Sequence, residues 1–166
     1  DFKFVDLVFV NRYIAIGHAA DSSNLHMERI LFGFPLAIIA VSAVPFINDF
    51  AALVIVSMLS SLVSVFLCHR LWGGWVACMF AILNWDWMQR SIVGGNEPFF
   101  MALLLGGFYM YRQQRFLFAF FLTALSVTVR PIGIFAVITM GLHLLLSKEY
   151  RSLFVSFAIS VSIGAI

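Results

Sequence analysis

A chain of 166 residues that is 63% hydrophobic, 11% charged and +2 in net charge has neither the polar surface of an ordinary soluble domain nor the basic face of a nucleic-acid-binding one. Its mean hydropathy of +1.02 belongs to integral membrane chains, and its Lys and Arg residues are too scattered to track a phosphate backbone. Nucleic acid is therefore not expected as a partner.

Taken in chain order, residues 1–29 stand apart from the remainder of the chain. Asp1, Lys3, Asp6, Arg12, Asp21, Glu28 and Arg29 alternate with Phe4, Val5, Leu7, Val8, Phe9, Tyr13 and Ile14, the pattern of an amphipathic segment that lies in a membrane interface. From residue 30 onward, apolar runs fall at about 30–47, 50–68, 71–85, 98–111, 116–129, 131–147 and 152–166. No run alternates polar with apolar over strand-length windows, and backbone groups in lipid must be satisfied within the segment, so helices are expected and a barrel is not. The expected fold is all-α, a polytopic transmembrane bundle of about six or seven membrane segments (residues 30–166) after the interfacial segment (1–29). Most runs are shorter than the ~20 residues that cross a bilayer upright, so some should be re-entrant or broken. Opening on Asp1 without Met and closing in the apolar run at Ile166, the chain reads as a fragment.

Orientation follows from basic residues in short loops. Arg112-Gln113-Gln114-Arg115 and Lys148-Glu149-Tyr150-Arg151 are the clearest basic turns and are placed in the cytoplasm. The apolar stretch between them then forms an out-and-back hairpin with Arg130-Pro131 at its far tip, and the run 98–111 carries Glu97 to the same far side.

Two charges in apolar surroundings are the main site candidates, because an ionisable group at membrane depth costs several kcal/mol and usually marks function. Glu97, in Gly94-Gly95-Asn96-Glu97-Pro98-Phe99, precedes a Pro suited to a first helical turn. Its plain role is to complement the helix dipole; its functional role is to orient an Arg, an acceptor or a metal ion. Arg130, in Thr128-Val129-Arg130-Pro131, offers a forked, permanent cation suited to phosphate oxygens. Its plain roles are snorkelling to the interface and an ion pair with Glu97. Arg12, Arg29 and Arg90 are weaker candidates of the same kind, each with the plain role of an interfacial anchor. Asp6 is by itself a surface carboxylate, and Asp86, between Trp85 and Trp87, reads first as part of an aromatic belt. The four His residues show no ligand spacing. Cys68 and Cys78 lack C-x-x-C spacing and read as small buried hydrophobes. Gly106-Gly107 suits close helix packing.

The order of an Asp-bearing amphipathic loop, Glu28-Arg29-Ile30-Leu31-Phe32-Gly33-Phe34-Pro35-Leu36, Gly94-Gly95-Asn96-Glu97-Pro98-Phe99-Phe100, a basic turn, and Thr128-Val129-Arg130-Pro131-Ile132-Gly133 resembles the GT-C superfamily of multi-spanning glycosyltransferases. The nearest branch is the bacterial mannosyltransferase-like one related to protein O-mannosyltransferases and aminoarabinose transferases. The resemblance implies transfer of a sugar from a polyprenyl-phosphate donor to a hydroxyl acceptor on a protein, lipid or glycan, with inversion, at the extracytoplasmic face of a bacterial inner membrane. It assigns the base to Asp6, in Asp6-Leu7-Val8-Phe9, where relatives often carry Asp-Gly and a double aromatic, with Asp1 as the fallback. It assigns the lipid phosphate to Arg130 with Arg29 or Arg90, and an orienting or sugar-contacting role to Glu97. No cofactor is required by the residues, although a divalent metal ion is allowed. An outside N-terminal loop conflicts with two full crossings at 30–47 and 50–68, unless 30–47, shortened by Pro35 and Pro45, or 71–85 enters the membrane without crossing. The competing reading is a transporter or lipid flippase in which Glu97 and Arg130 form an intramembrane pair beside broken helices; a third is a non-catalytic membrane scaffold.

Overall fold

The computed structural model describes residues 33–83 and 95–148, together with Gln89 and Ile92. Asp6, Arg29, Arg90 and Asp86, with the whole interfacial segment and the run 152–166, lie outside the described residues. Within them the chain is helical throughout: α1 (Gly33–Ser42), α2 (Asp49–Trp72), α3 (Gly74–Leu83), α4 (Glu97–Arg112), α5 (Phe116–Val129) and α6 (Ile134–Leu146), with a 3-10 turn at Pro131–Gly133. The all-α expectation is met, and the helices follow the apolar runs closely. Among the described residues only α2, 24 residues long, is sufficient by length and composition to cross a membrane; α1, α3, α5 and Pro131–Leu146 are shorter apolar helices.

Local chemistry sets the boundaries. Asn48 caps α2 by accepting the Ala51 N–H at 2.7 Å, and Asp49 in the first turn faces the positive end of the dipole. At the other end Gly73 adopts φ +94°, a conformation costly for any residue with a Cβ, and its N–H returns to the His69 carbonyl at 2.8 Å. α4 closes at residues 113–115, where Gln114 takes φ +60° and the Arg115 N–H reaches the Met110 carbonyl at 3.0 Å. α5 stops at Arg130, which is extended at φ −148°, ψ 130°, as expected of a residue before proline.

Side-chain contacts give the topology. Along α2, Ser57 meets Gly95, Ser64 meets Pro98, Leu67 and Leu71 pack with Leu105, and Leu71 accepts from Arg112, so α2 and α4 run parallel. The three-residue turn makes α5 antiparallel to α4, and α6 returns beside α5 through Ala119, Phe120, Met140 and Leu144. Helix α4 thus lies between α2 and α5. A methyl group on Gly107 would stand 2.5 Å from Thr123 Cγ2 and 3.2 Å from the Ala119 carbonyl oxygen, so the expected role of the Gly pair is realised as backbone-close packing of α4 on α5.

Helix α1 packs on only one end of this bundle. Phe34 and Ile38 join Ala52, Leu53 and Val56 of α2, Phe100 and Leu103 of α4, and Val129 of α5. Gly33 sits so close to α5 that a Cβ would fall 2.3 Å from Thr128 Oγ1, while the loop after Ser42 leads directly to the Asn48 cap. The Ser42 end of α1 therefore lies at the Asp49 end of α2 and its Gly33 end beside the end of α5, and its ten residues span only about 15 Å.

The distribution of residue types is inverted relative to a water-soluble bundle. Ser57, Ser60, Ser64, Thr123, Ser126 and Thr128 are buried, whereas Leu59, Leu62, Phe66, Phe118, Phe135 and Ile138 are exposed. Of the two cysteines, Cys68 is buried as expected and Cys78 is exposed on α3. Cys78 corrects the reading of both as buried hydrophobes: only one face of α3, the face carrying Ala77, turns inward.

Candidate functional site at the Glu97 and Arg130 helix ends

Glu97 and Arg130 come from opposite strokes of the α4–α5 hairpin and meet at its open end. Glu97 is the first residue of α4, with Pro98 following and Asn96 before it; the Asn96 side chain makes no capping bond. Arg130 is the residue that ends α5, its N–H held by the Ser126 carbonyl at 2.9 Å and its carbonyl accepting the Gly133 N–H at 3.0 Å. Arg130 Nη2 donates to Glu97 Oε1 in a short, charge-assisted hydrogen bond. The Glu97 side chain is 16% exposed and that of Arg130 39%, so the carboxylate is the enclosed partner and the guanidinium the one that faces outward.

Serines of α2 hold the peptide segment that carries Glu97. Ser57 Oγ donates to the Gly95 carbonyl at 2.8 Å, and Ser64 Oγ donates to the Ser60 carbonyl at 2.8 Å and reaches the Pro98 carbonyl at 3.4 Å. The carbonyls preceding a helix and in its first residues are thereby fixed from both sides of Glu97. Sequence patterning alone did not single out these serines. Their signal was the recurrence of Ser57, Ser60 and Ser64 at helical spacing within an apolar run, which puts them on one face.

The pair is recessed. Ser57 lies about 12 Å along the axis from the Asp49 end of α2 at the standard helical rise, and α4, α5 and α6 all begin or end near that level. The shortness of these helices is therefore what sets the Glu97–Arg130 pair below the rim formed by α1 and the first turns of α2. Thr128, whose Oγ1 donates to the Leu125 carbonyl at 2.7 Å, and Gly33 complete the wall on the α1 side.

Chemically, Glu97 neutralises and aims a guanidinium whose planar fork has further N–H donors beyond Nη2. Such a group suits an anionic oxygen arriving from the open side. The described residues do not form a metal-ligand set, as no three of His, Cys, Asp and Glu come together among them. Of the candidates raised by the sequence, the structure brings Glu97 and Arg130 together; Asp1, Asp6, Arg12, Arg29 and Arg90 lie outside the described residues. Comparison of the chain with family models, with curated proteins and with solved structures finds no match.

Proposed function

We propose that this chain is part of a membrane-embedded glycosyltransferase of the GT-C type, which moves a sugar from a polyprenyl-phosphate donor to a hydroxyl acceptor at the membrane face where Glu97 and Arg130 meet. The observation that carries the reading is the recessed, half-open ion pair between the start of α4 and the end of α5. A membrane setting is supported by large apolar side chains on the outside and Ser, Thr and Gly in the seams, the arrangement by which helices associate where lipid replaces water. It is supported too by the charge of the two ends: Arg70, Arg112, Arg115 and Lys148 occupy the end opposite the pair, which makes that end cytoplasmic. Helix α1, ten residues long, is then too short to cross the bilayer, in keeping with the re-entrant segment that the superfamily resemblance calls for. A bacterial inner membrane is the setting that resemblance favours.

In this reading the acceptor hydroxyl oxygen attacks the anomeric carbon and its proton passes to the Asp6 carboxylate. The bond from that carbon to the phosphate oxygen breaks, and polyprenyl phosphate leaves with its electron pair. The departing phosphate gathers charge in a poorly solvated recess, where a cation already in position contributes far more than it would in water. Arg130 has that role, and Glu97 keeps its fork aimed at the phosphate rather than at the backbone carbonyls nearby. Arg29 and Arg90 are the further cations this reading draws toward the phosphate.

The test is transfer from a radiolabelled polyprenyl-phosphate sugar in membranes carrying the protein, with wild type compared against Asp6→Asn, Glu97→Gln and Arg130→Ala at matched expression. Loss of transfer in all three, with folding retained, is expected. Absence of donor-dependent transfer by the wild type with every lipid-linked sugar tried would overturn the reading and bring forward a transporter or flippase, in which the same pair gates movement beside the break at Pro131.

A further inference from the structure

The end of the bundle opposite the ion pair has its own arrangement of cations. Arg70 in the last turn of α2 points Nη2 to the Tyr109 hydroxyl of α4 at 3.4 Å. Arg112, in the last turn of α4, donates through Nη1 to the Leu71 carbonyl at 2.6 Å, which ties it to the residue after Arg70. Arg115, in the turn after α4, lies close enough to act electrostatically on the Tyr109 hydroxyl. Arg70, Arg112 and Arg115 are all exposed. The acidic residues among the described ones, Asp49 and Glu97, belong to the far end, so Arg70, Arg112 and Arg115 share this end with no carboxylate among the described residues to balance them.

The surface beneath the cluster gives it a direction. Arg70, Phe66, Leu62 and Leu59 recur at spacings of three and four and so form one stripe along α2, and Phe66, Leu62 and Leu59 are exposed. The Arg70 guanidinium carbon stands 6.0 Å from the Phe66 ring centroid, within reach of a cation–π contact. From Arg70 this stripe runs about 16 Å toward the bundle's middle at the helical rise, comparable to half the hydrocarbon thickness of a bilayer. On another face of α2 at the Arg70 level, Trp72 is 57% exposed, where indoles favour the headgroup region.

We propose that Arg70, Arg112 and Arg115, with the Tyr109 hydroxyl, form a headgroup site for an anionic glycerophospholipid of the cytoplasmic leaflet, whose acyl chain lies along Phe66, Leu62 and Leu59. The phosphate oxygens take the outward donors of the Arg70 and Arg112 forks. Tyr109 holds Arg70 in place, and the Leu71 carbonyl does the same for Arg112, so neither long side chain is ordered at the moment of binding. The site rests on the membrane reading above but not on the transferase reading, since it lies at the opposite face from Glu97 and Arg130.

The test uses the purified full chain in detergent, offered equal amounts of phosphatidylglycerol and phosphatidylcholine, with bound lipid counted by native mass spectrometry. The wild type is expected to retain phosphatidylglycerol about tenfold better, and Arg70→Gln/Arg112→Gln to lose that preference. Arg115→Gln, at an exposed turn position where folding is not at stake, is expected to lower it in part. Equal retention of the two lipids by the wild type, or an undiminished preference in the double variant, would overturn the site. Displacement of phosphatidylglycerol by millimolar inorganic phosphate would overturn the acyl-chain groove and leave a site for soluble phosphate. A parallel carbonate wash of chain reconstituted in phosphatidylcholine vesicles separates the two readings: extraction into the wash removes the membrane setting, whereas retention with equal lipid counts removes this site alone.

Discussion

The two ends of this bundle use the same side chain, arginine, in opposite ways. At one end Arg130 is bonded to a mostly buried carboxylate, on backbone held by serines of a neighbouring helix. At the other, Arg70, Arg112 and Arg115 are exposed, with Arg70 leaning on a hydroxyl and Arg112 on a carbonyl. The difference lies in how much solvation each guanidinium has given up. A charge that has left water needs a counter-charge and a fixed geometry, whereas one at the rim needs only partial satisfaction of its donors. The first end is therefore where removal of one group should be felt most, and the second is where charge is available to something outside the protein.

The largest effect is expected from breaking the pair on one side only. Glu97→Gln or Arg130→Ala leaves the remaining charge in a recess, and removal of one partner of a buried pair costs about 3–5 kcal/mol. Arg130 is more than a third exposed, so a value below that range, about 2–3 kcal/mol, is the expectation after allowing for solvent screening. The double variant Glu97→Gln/Arg130→Gln should lose less than the sum of the two singles, because no uncompensated charge remains. Denaturation midpoints of all variants in the same detergent check this. Additive losses would mean that the pair is not coupled, and the contrast between the ends would disappear.

Next in size is Gly107→Ala. The added methyl would meet Thr123 Cγ2 at 2.5 Å and the Ala119 carbonyl oxygen at 3.2 Å; the backbone oxygen cannot rotate away, so α4 and α5 must separate. Overpacking of this kind costs about 1–3 kcal/mol. Since Glu97 and Arg130 sit at the open end of that same hairpin, a lever effect is expected there. On the transferase proposal, lost sugar transfer should exceed lost stability, while phosphatidylglycerol retention at the closed end changes little. Equal loss of both readouts would show that the hairpin fails as a whole instead of opening at one end.

Much of this contrast was legible in the chain. Asn48, Gly73, Asn96-Glu97-Pro98, Arg112 to Arg115 and Arg130-Pro131 each punctuate an apolar run, and each marks a helix boundary in the structure. That Glu97 and Arg130 share one face followed from the basic turns, since the two residues stand at nearly equal distances along the chain on either side of residues 113–115. Their direct bond was readable only as one of several roles, because a side-chain contact depends on the rotation of each helix about its axis, which an all-round apolar helix does not reveal. For the same reason the inward face of α3, and with it the exposure of Cys78, was not readable. Nor was the depth of the site: it comes from the offset of α4 along α2, set by Ser57 and Ser64 against Gly95 and Pro98, and tertiary offsets leave no periodicity in the sequence.

Those serines give a smaller and more selective perturbation. Ser57→Ala removes the bond to the Gly95 carbonyl, and one such bond contributes about 1 kcal/mol. In stability this is modest, but Gly95 lies two residues before Glu97, so the carboxylate should gain freedom. If the pair serves to aim Arg130 at a phosphate, the loss should fall on turnover more than on donor affinity. A Ser57→Thr variant, which keeps the hydroxyl, should recover part of it. Ser57→Ala with unchanged turnover would show that the offset between α2 and α4 is held by apolar packing alone.

The smallest effect, and the sharpest check on the contrast, belongs to Arg112→Gln. This side chain is exposed and donates to the Leu71 carbonyl at 2.6 Å, an orphan acceptor at the end of α2 that water or the glutamine amide can serve instead. The cost should be about 0.5 kcal/mol or less, in line with exposed charged contacts, against the several-fold larger cost of Arg130→Ala. Raising salt should reduce the phosphatidylglycerol preference of the wild type while leaving its denaturation midpoint nearly unchanged, since screening acts on exposed charges and spares recessed ones. If Arg112→Gln instead destabilised the protein as much as Arg130→Ala, the basic end would be a structural clamp between α2 and α4. Its arginines would then have no donors to offer a lipid headgroup, and the division of labour between the two ends would have to be abandoned.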